Sequence, residues 1–137
     1  MPARCSYEYA VVRVVPRVDR EEFVNAGVIV FCLERDFLAA RVELDAAKVL
    51  ALAPDADLDL VEEHLRSIPA IAAGGEGSGP IGKLSARERF RWLVAPRSTV
   101  VQTSAVHAGL CDDPERLTED LLERMVRRPP GRGGAPA

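Results

Sequence analysis

The sequence predicts an α+β fold, a mainly antiparallel sheet of about four strands packed with three to four helices. Three observations predict it. Strand-like runs come early, in "YEYAVVRVVP", "GVIVFCL" and "FLAARVEL". The second and third are joined by the short polar turn "ERD", which favours an antiparallel hairpin. Helical periodicity dominates the middle and the end of the chain.

The elements follow in order. In the first strand, from Tyr7 to Val15, Tyr7, Tyr9, Val11, Arg13 and Val15 share one face, and Pro16 ends the strand. "VDREEF" fits one helical turn. "GVIVFCL" is apolar throughout and reads as a strand buried on both faces. "FLAARVEL" alternates, with Leu38, Ala40, Val42 and Leu44 inward. Asp45 caps a short helix that Pro54 stops. Asp57 caps a second, with Leu58, Val61, Leu65 and Ile68 at helical spacing, and Pro69 is expected to weaken or end it. "AAGGEGSGP" is a loop. Ser85 and Glu88 form a capping box for a helix carrying Phe90, Leu93 and Val94. Residues 97–107 then read as a fourth strand. The last helix opens with Asp113 as N-cap and Pro114 at its first position, and buries Leu117, Leu121, Leu122, Met125 and Val126. We read residues 1–128 as one domain and 129–137, "PPGRGGAPA", as a disordered tail.

With 137 residues and 47% hydrophobic content, the chain can bury a sizeable core. Its net charge of -3 and 5% aromatic content disfavour a globally basic nucleic-acid binder. No apolar run has the length of a membrane span, and "MPARCSYEY" lacks the apolar core of a signal peptide. Cys5, Cys32 and Cys111 are odd in number, widely spaced and without a CxxC, which argues against a disulfide framework or zinc site. A reducing, cytoplasmic setting follows.

"GSGPIGKL" nearly matches a phosphate-binding loop, but Leu84 stands at the magnesium-binding hydroxyl position and the preceding segment is helical rather than a strand. It reads as a connector. His64 sits on an acidic helix and His107 is remote from it, so no metal cluster and no cofactor is expected. Lys83, Arg87, Arg89, Arg91 and Arg97 surround a single acid, Glu88; they form a solvated face, pair with the acidic helix, or hold an anion. Two placements are open for Arg13: a sheet edge, or a polar pocket with Glu22 as its partner. The stretch "RSTVVQTSAVHAGLCDDP" divides its polar residues between both strand faces, with Arg97 and His107 on one and Ser98, Gln102 and Ser104 on the other.

The segments "YEYAVVRVVPRVDREEFVNAGVIVFC" and "RFRWLVAPRSTVVQTSAVHAGLCDDP" resemble a bacterial family known as domain of unknown function 3037. The matching positions are Tyr9, Arg13, Pro16, Arg20, Glu22, Asn25 and Gly27, then Arg89, Arg97, Ser98, Gln102, Ser104, His107 and Gly109. The resemblance brings no reaction with it. It implies a partner, because members are often encoded beside a HipA-like kinase-fold protein.

The leading expectation is a small cytoplasmic binding or accessory protein acting with such a partner. Its polar site comprises Arg13, Glu22, Asn25, Arg97, Gln102, Ser104 and His107, and it takes an anionic ligand. Glu22 orients an arginine in this reading, and Asn25-Ala26-Gly27 makes a tight turn exposing backbone donors, with Gly27 allowing close approach or a positive φ. The alternative is a small hydrolase or transferase with His107 as general base, Glu22 as its acidic partner, and Arg97 and Gln102 stabilising negative charge.

Overall fold

A computed structural model describes residues 4–127. Five strands form one antiparallel sheet: β1 (Cys5–Val14), β2 (Val24–Cys32), β3 (Phe37–Val42), β4 (Val101–Thr103) and β5 (His107–Cys111). The order is β3-β2-β1, with β4 and β5 both pairing the far side of β1. Four α-helices accompany it: α1 (Ala46–Leu52), α2 (Leu58–Ala73), α3 (Ala86–Leu93) and α4 (Pro114–Leu122), the last continued by a π-helical turn, Glu123–Arg127. The α+β architecture is the one the sequence predicts. The tail expected at 129–137 lies outside the described residues.

Helices cover both faces of the sheet. On one, Val12, Val14, Ile29 and Phe31 pack against Val61, Leu65 and Ile68 of α2 and Phe90 and Leu93 of α3. On the other, Val28 and Val30 pack against Leu121, Leu122 and Val126. Six of the seven residues of "VIVFCL" and its preceding Gly27 lie in β2, and they are buried on both faces as a continuous apolar run requires. The predicted caps form. Asp45 accepts from the Lys48 N–H and Asp57 from the Leu60 N–H. Ser85 and Glu88 make the reciprocal capping box, and Asp113 accepts from the Glu115 and Arg116 N–H groups.

Three local expectations are corrected. Of the two outcomes expected at Pro69, weakening or ending the helix, the second does not occur: α2 runs on to Ala73, and Ile71 and Ala72 beyond the proline are buried in the core. Asn25-Ala26-Gly27 is not a turn but part of β2. There Val12 pairs Gly27 and Arg13 pairs Asn25, so Ala26 is the extra residue of a β-bulge. Gly27 serves close approach: a Cβ there would stand 2.5 Å from the Arg41 carbonyl oxygen. Finally, the stretch from 97 to 107 is not one strand. It breaks into β4 and β5, leaving Ala10 and Val11 of β1 between them.

Candidate anion-binding cleft

Ser104 fills that break. Its N–H donates to the Val11 carbonyl at 2.9 Å, and its Oγ accepts from the Val11 N–H at 2.9 Å. The same hydroxyl donates to the Ala105 carbonyl at 2.8 Å. Both backbone groups of a buried strand residue are thereby satisfied where the neighbouring ladder is interrupted. Ser104 is itself buried, so its role is to hold the sheet together.

On the sheet face that carries α4, Asn25, Arg13 and Gln102 stand in one row across β2, β1 and β4 as successive register partners. The bulge at Ala26 sets this alignment. The Asn25 amide donates to the Met125 carbonyl at 3.0 Å, tying the row to the π-helical turn. Arg13 lies beside the ring of Phe23, with its Cζ 4.0 Å from the ring centroid. Its Nε is buried and has no hydrogen-bond partner within the protein.

Arg97 approaches from the segment after α3. Its Cζ lies 4.2 Å from the centroid of Trp92, and its Nη groups donate to the Trp92 and Leu93 carbonyls at the end of α3. Both carbonyls stand in the last turn of the helix, at the negative end of its dipole, so a cation there is favourable. Partial burial pulls the Arg97 guanidinium below its ordinary pKa, but a guanidinium stays charged.

These parts enclose a cleft of about 340 Å³ lined by Arg13, Val15, Val18, Glu21, Phe23, Arg97, Ser98 and Gln102. Two cations and one carboxylate face it, and among the described residues neither Arg13 nor Arg97 forms an ion pair with Glu21 or any other acid. The aromatic contacts hold the guanidinium planes without neutralising them. Such a cleft can take an anion that accepts from arginine N–H, serine O–H and glutamine amide donors.

Of the seven residues expected in one site, Arg13, Arg97 and Gln102 line this cleft, and Asn25 flanks them in the same row. Ser104 stands behind it in the sheet. Glu22 turns elsewhere: it binds Arg20 through two hydrogen bonds, 2.8 and 3.2 Å, which hold its carboxyl below the usual range. It lines a separate open depression with Arg17, Asp19, Arg20, Ala51 and Leu52. His107 is exposed on β5 and packs its ring 5.2 Å from that of Tyr9. Tyr9 is four residues along β1 from Arg13, about 13 Å at strand spacing. The structure therefore does not bring Glu22 and His107 to the two arginines.

Sequence reasoning missed Phe23, Trp92 and Glu21. The available signals were an aromatic at the end of a polar turn, 44% exposed in the fold, and an arginine five positions after a tryptophan near a helix end. Glu21, whose backbone is left-handed with φ 59°, lines the cleft where Glu22 was expected. The basic cluster divides as well. Arg89 donates to the Leu84 and Ala72 carbonyls and so ties α3 to the end of α2, while Arg97 alone of the five lines the cleft.

No helix among the described residues is long and apolar enough to cross a membrane. No curated protein and no solved structure matches the chain significantly. The model of the family described as protein of unknown function, DUF3037, does match, over residues 9–126, and so the polar row, the cleft and the Ser104 junction all belong to a member of the DUF3037 family.

Proposed function

We propose that the protein is a small cytoplasmic binding or accessory protein that holds an anionic group, a phosphate in first place, in the Arg13–Arg97 cleft. The observation that carries this reading is the pair of arginines facing one cleft, each against an aromatic ring and neither paired with a carboxylate. Ser98 and Gln102 add neutral donors beside them. The partner we propose is a HipA-like kinase-fold protein, and a phosphate presented on such a partner would suit two guanidinium groups.

The test is titration of the protein with inorganic phosphate, followed through the arginine Nε–Hε signals by NMR. The Arg13 and Arg97 signals should move together. Arg13→Ala and Arg97→Ala should each weaken binding by about tenfold or more, the usual worth of a hydrogen bond to a charged group. Glu21→Gln should strengthen it, because Glu21 is the one carboxylate in the cleft. Arginine signals that ignore phosphate, or an affinity unchanged in both arginine variants, would reject the reading. Purification of the tagged protein from its own cells, with mass spectrometry, tests the kinase-fold partner separately.

A further inference from the structure

The cysteines at positions 5, 32 and 111, far apart in sequence, gather at one end of the sheet. Cys5 opens β1 and Cys111 closes β5, and the two are direct partners in the antiparallel register. Their sulfurs lie 3.7 Å apart. Cys32 closes β2, the strand on the other side of β1. All three are free; Cys5 and Cys32 are buried and Cys111 is partly exposed. Among the described residues no three His, Cys, Asp or Glu side chains are arranged to hold a metal ion.

We propose that Cys5 and Cys111 are a redox modification site that closes into a cross-strand disulfide by exchange with a low-molecular-weight disulfide. Opposed residues of an antiparallel pair have Cα atoms about 4.5–5.5 Å apart, inside the range of about 4.4–6.8 Å that a disulfide spans. Side-chain rotation alone can then bring the sulfurs to bonding distance. The accessible thiol reacts first. The Cys111 thiolate attacks one sulfur of the small disulfide, forming a mixed disulfide and releasing one small thiolate. The Cys5 thiolate then attacks the Cys111 sulfur, forming the protein disulfide and releasing the second. Two protein thiols lose two protons and two electrons, and one small disulfide becomes two small thiols. Cys32 stays out of the exchange: its register partner is Phe37 rather than a cysteine, and burial pushes its thiol up.

The bond would join positions 106 apart in sequence. β5 ends at Cys111, and the chain passes through Asp112 to Asp113, the N-cap of α4, so the staple fixes the first strand to the strand that launches this helix. A loop of that length is strongly constrained in the unfolded chain.

The native protein is equilibrated with oxidised and reduced glutathione in varied ratio, its free thiols are trapped, and its peptides are mapped without reduction. The expected result is a single Cys5–Cys111 link, with Cys32 alkylated only after unfolding. The melting temperature should rise by several degrees on oxidation and return on reduction. Cys32→Ser should keep the link, and Cys5→Ser should leave glutathione bound at Cys111. A Cys5–Cys32 link, or both thiols of the pair remaining reduced in excess oxidised glutathione while the protein is folded, would overturn the proposal.

Discussion

Arginines at the two ends of the same sheet face live in opposite electrostatic settings. Beside α4, Arg127 binds Glu43, Glu119 and Glu123 at 2.9, 3.2 and 3.5 Å, and Arg41 binds Glu119 as well. Two cations there meet three carboxylates. Beside β4, Arg13 and Arg97 meet rings and backbone carbonyls, and the one carboxylate in their cleft pairs with neither. The first group is neutralised within the fold and needs nothing more. The second is not neutralised by a carboxylate, and it is this charge that the proposed anion would meet. Arginine content alone does not distinguish these cases; the difference lies in which carboxylates the topology places opposite each guanidinium.

The largest expected effect breaks both halves at once. In Gly27→Ala the new methyl group would meet the Arg41 carbonyl oxygen at 2.5 Å and Val42 Cγ1 at 2.9 Å. β2 and β3 would have to part, displacing Arg41 on one side and the Asn25–Arg13 row on the other. We expect a loss of about 3 kcal/mol, the upper end for an overpacked interior. Urea unfolding measures it, and an unchanged midpoint would mean that these two strands are not so closely opposed.

A smaller effect separates the halves. Ser104→Ala removes the acceptor of the buried Val11 N–H and leaves the junction of β4 and β5 half satisfied. The cost should be about 1–3 kcal/mol. Phosphate binding should weaken, because β4 carries Gln102, while the ion pairs of Arg127 keep their titration behaviour. Equal damage to both regions would show that Ser104 supports the whole sheet rather than the cleft side.

What the sequence made legible follows the range of the interaction. The caps at Asp45, Asp57, Ser85 and Asp113 bond groups two or three residues away, so their residue patterns announce them. Alternation along β1 put Arg13 on a face with Tyr9 and Val11, and three of the seven expected site residues do line one cleft. Register was not legible. Nothing local to Asn25-Ala26-Gly27 distinguishes a bulge from a turn, because the bulge is defined by the partner strand. Ser104 looks like any polar strand residue until Val11, 93 positions away, needs its hydroxyl. Glu21 and Glu22 are identical in type and adjacent in sequence; the fold puts Glu21 in the cleft lining and Glu22 on Arg20, a division that residue type does not announce. Cys5 and Cys111 met for the same reason, through a strand pairing that their spacing does not encode.

The smallest effect sharpens the neutralised half alone. The Glu119 carboxyl is held below its ordinary value of 4.5, first by its hydrogen bond with Arg41 and to a lesser degree by Arg127. A lowered carboxyl binds fewer protons in the folded protein than in the unfolded chain. Its stabilising contribution is therefore complete above about 4.5 and is lost as the pH falls through the folded value. Arg41→Gln should raise the Glu119 titration toward 4.5 in the folded protein, and Arg127→Gln should raise it less. Both should flatten the acid limb of the stability curve in that window. Each change should be small at neutral pH, since exposed ion pairs are worth about 0–1 kcal/mol and salt screens them. Phosphate affinity should stay as it is in the unsubstituted protein. A Glu119 titration followed by NMR that does not move in Arg41→Gln would show that Arg41 does not hold this carboxylate. The contrast between the paired and unpaired arginines would then rest on Arg127 alone.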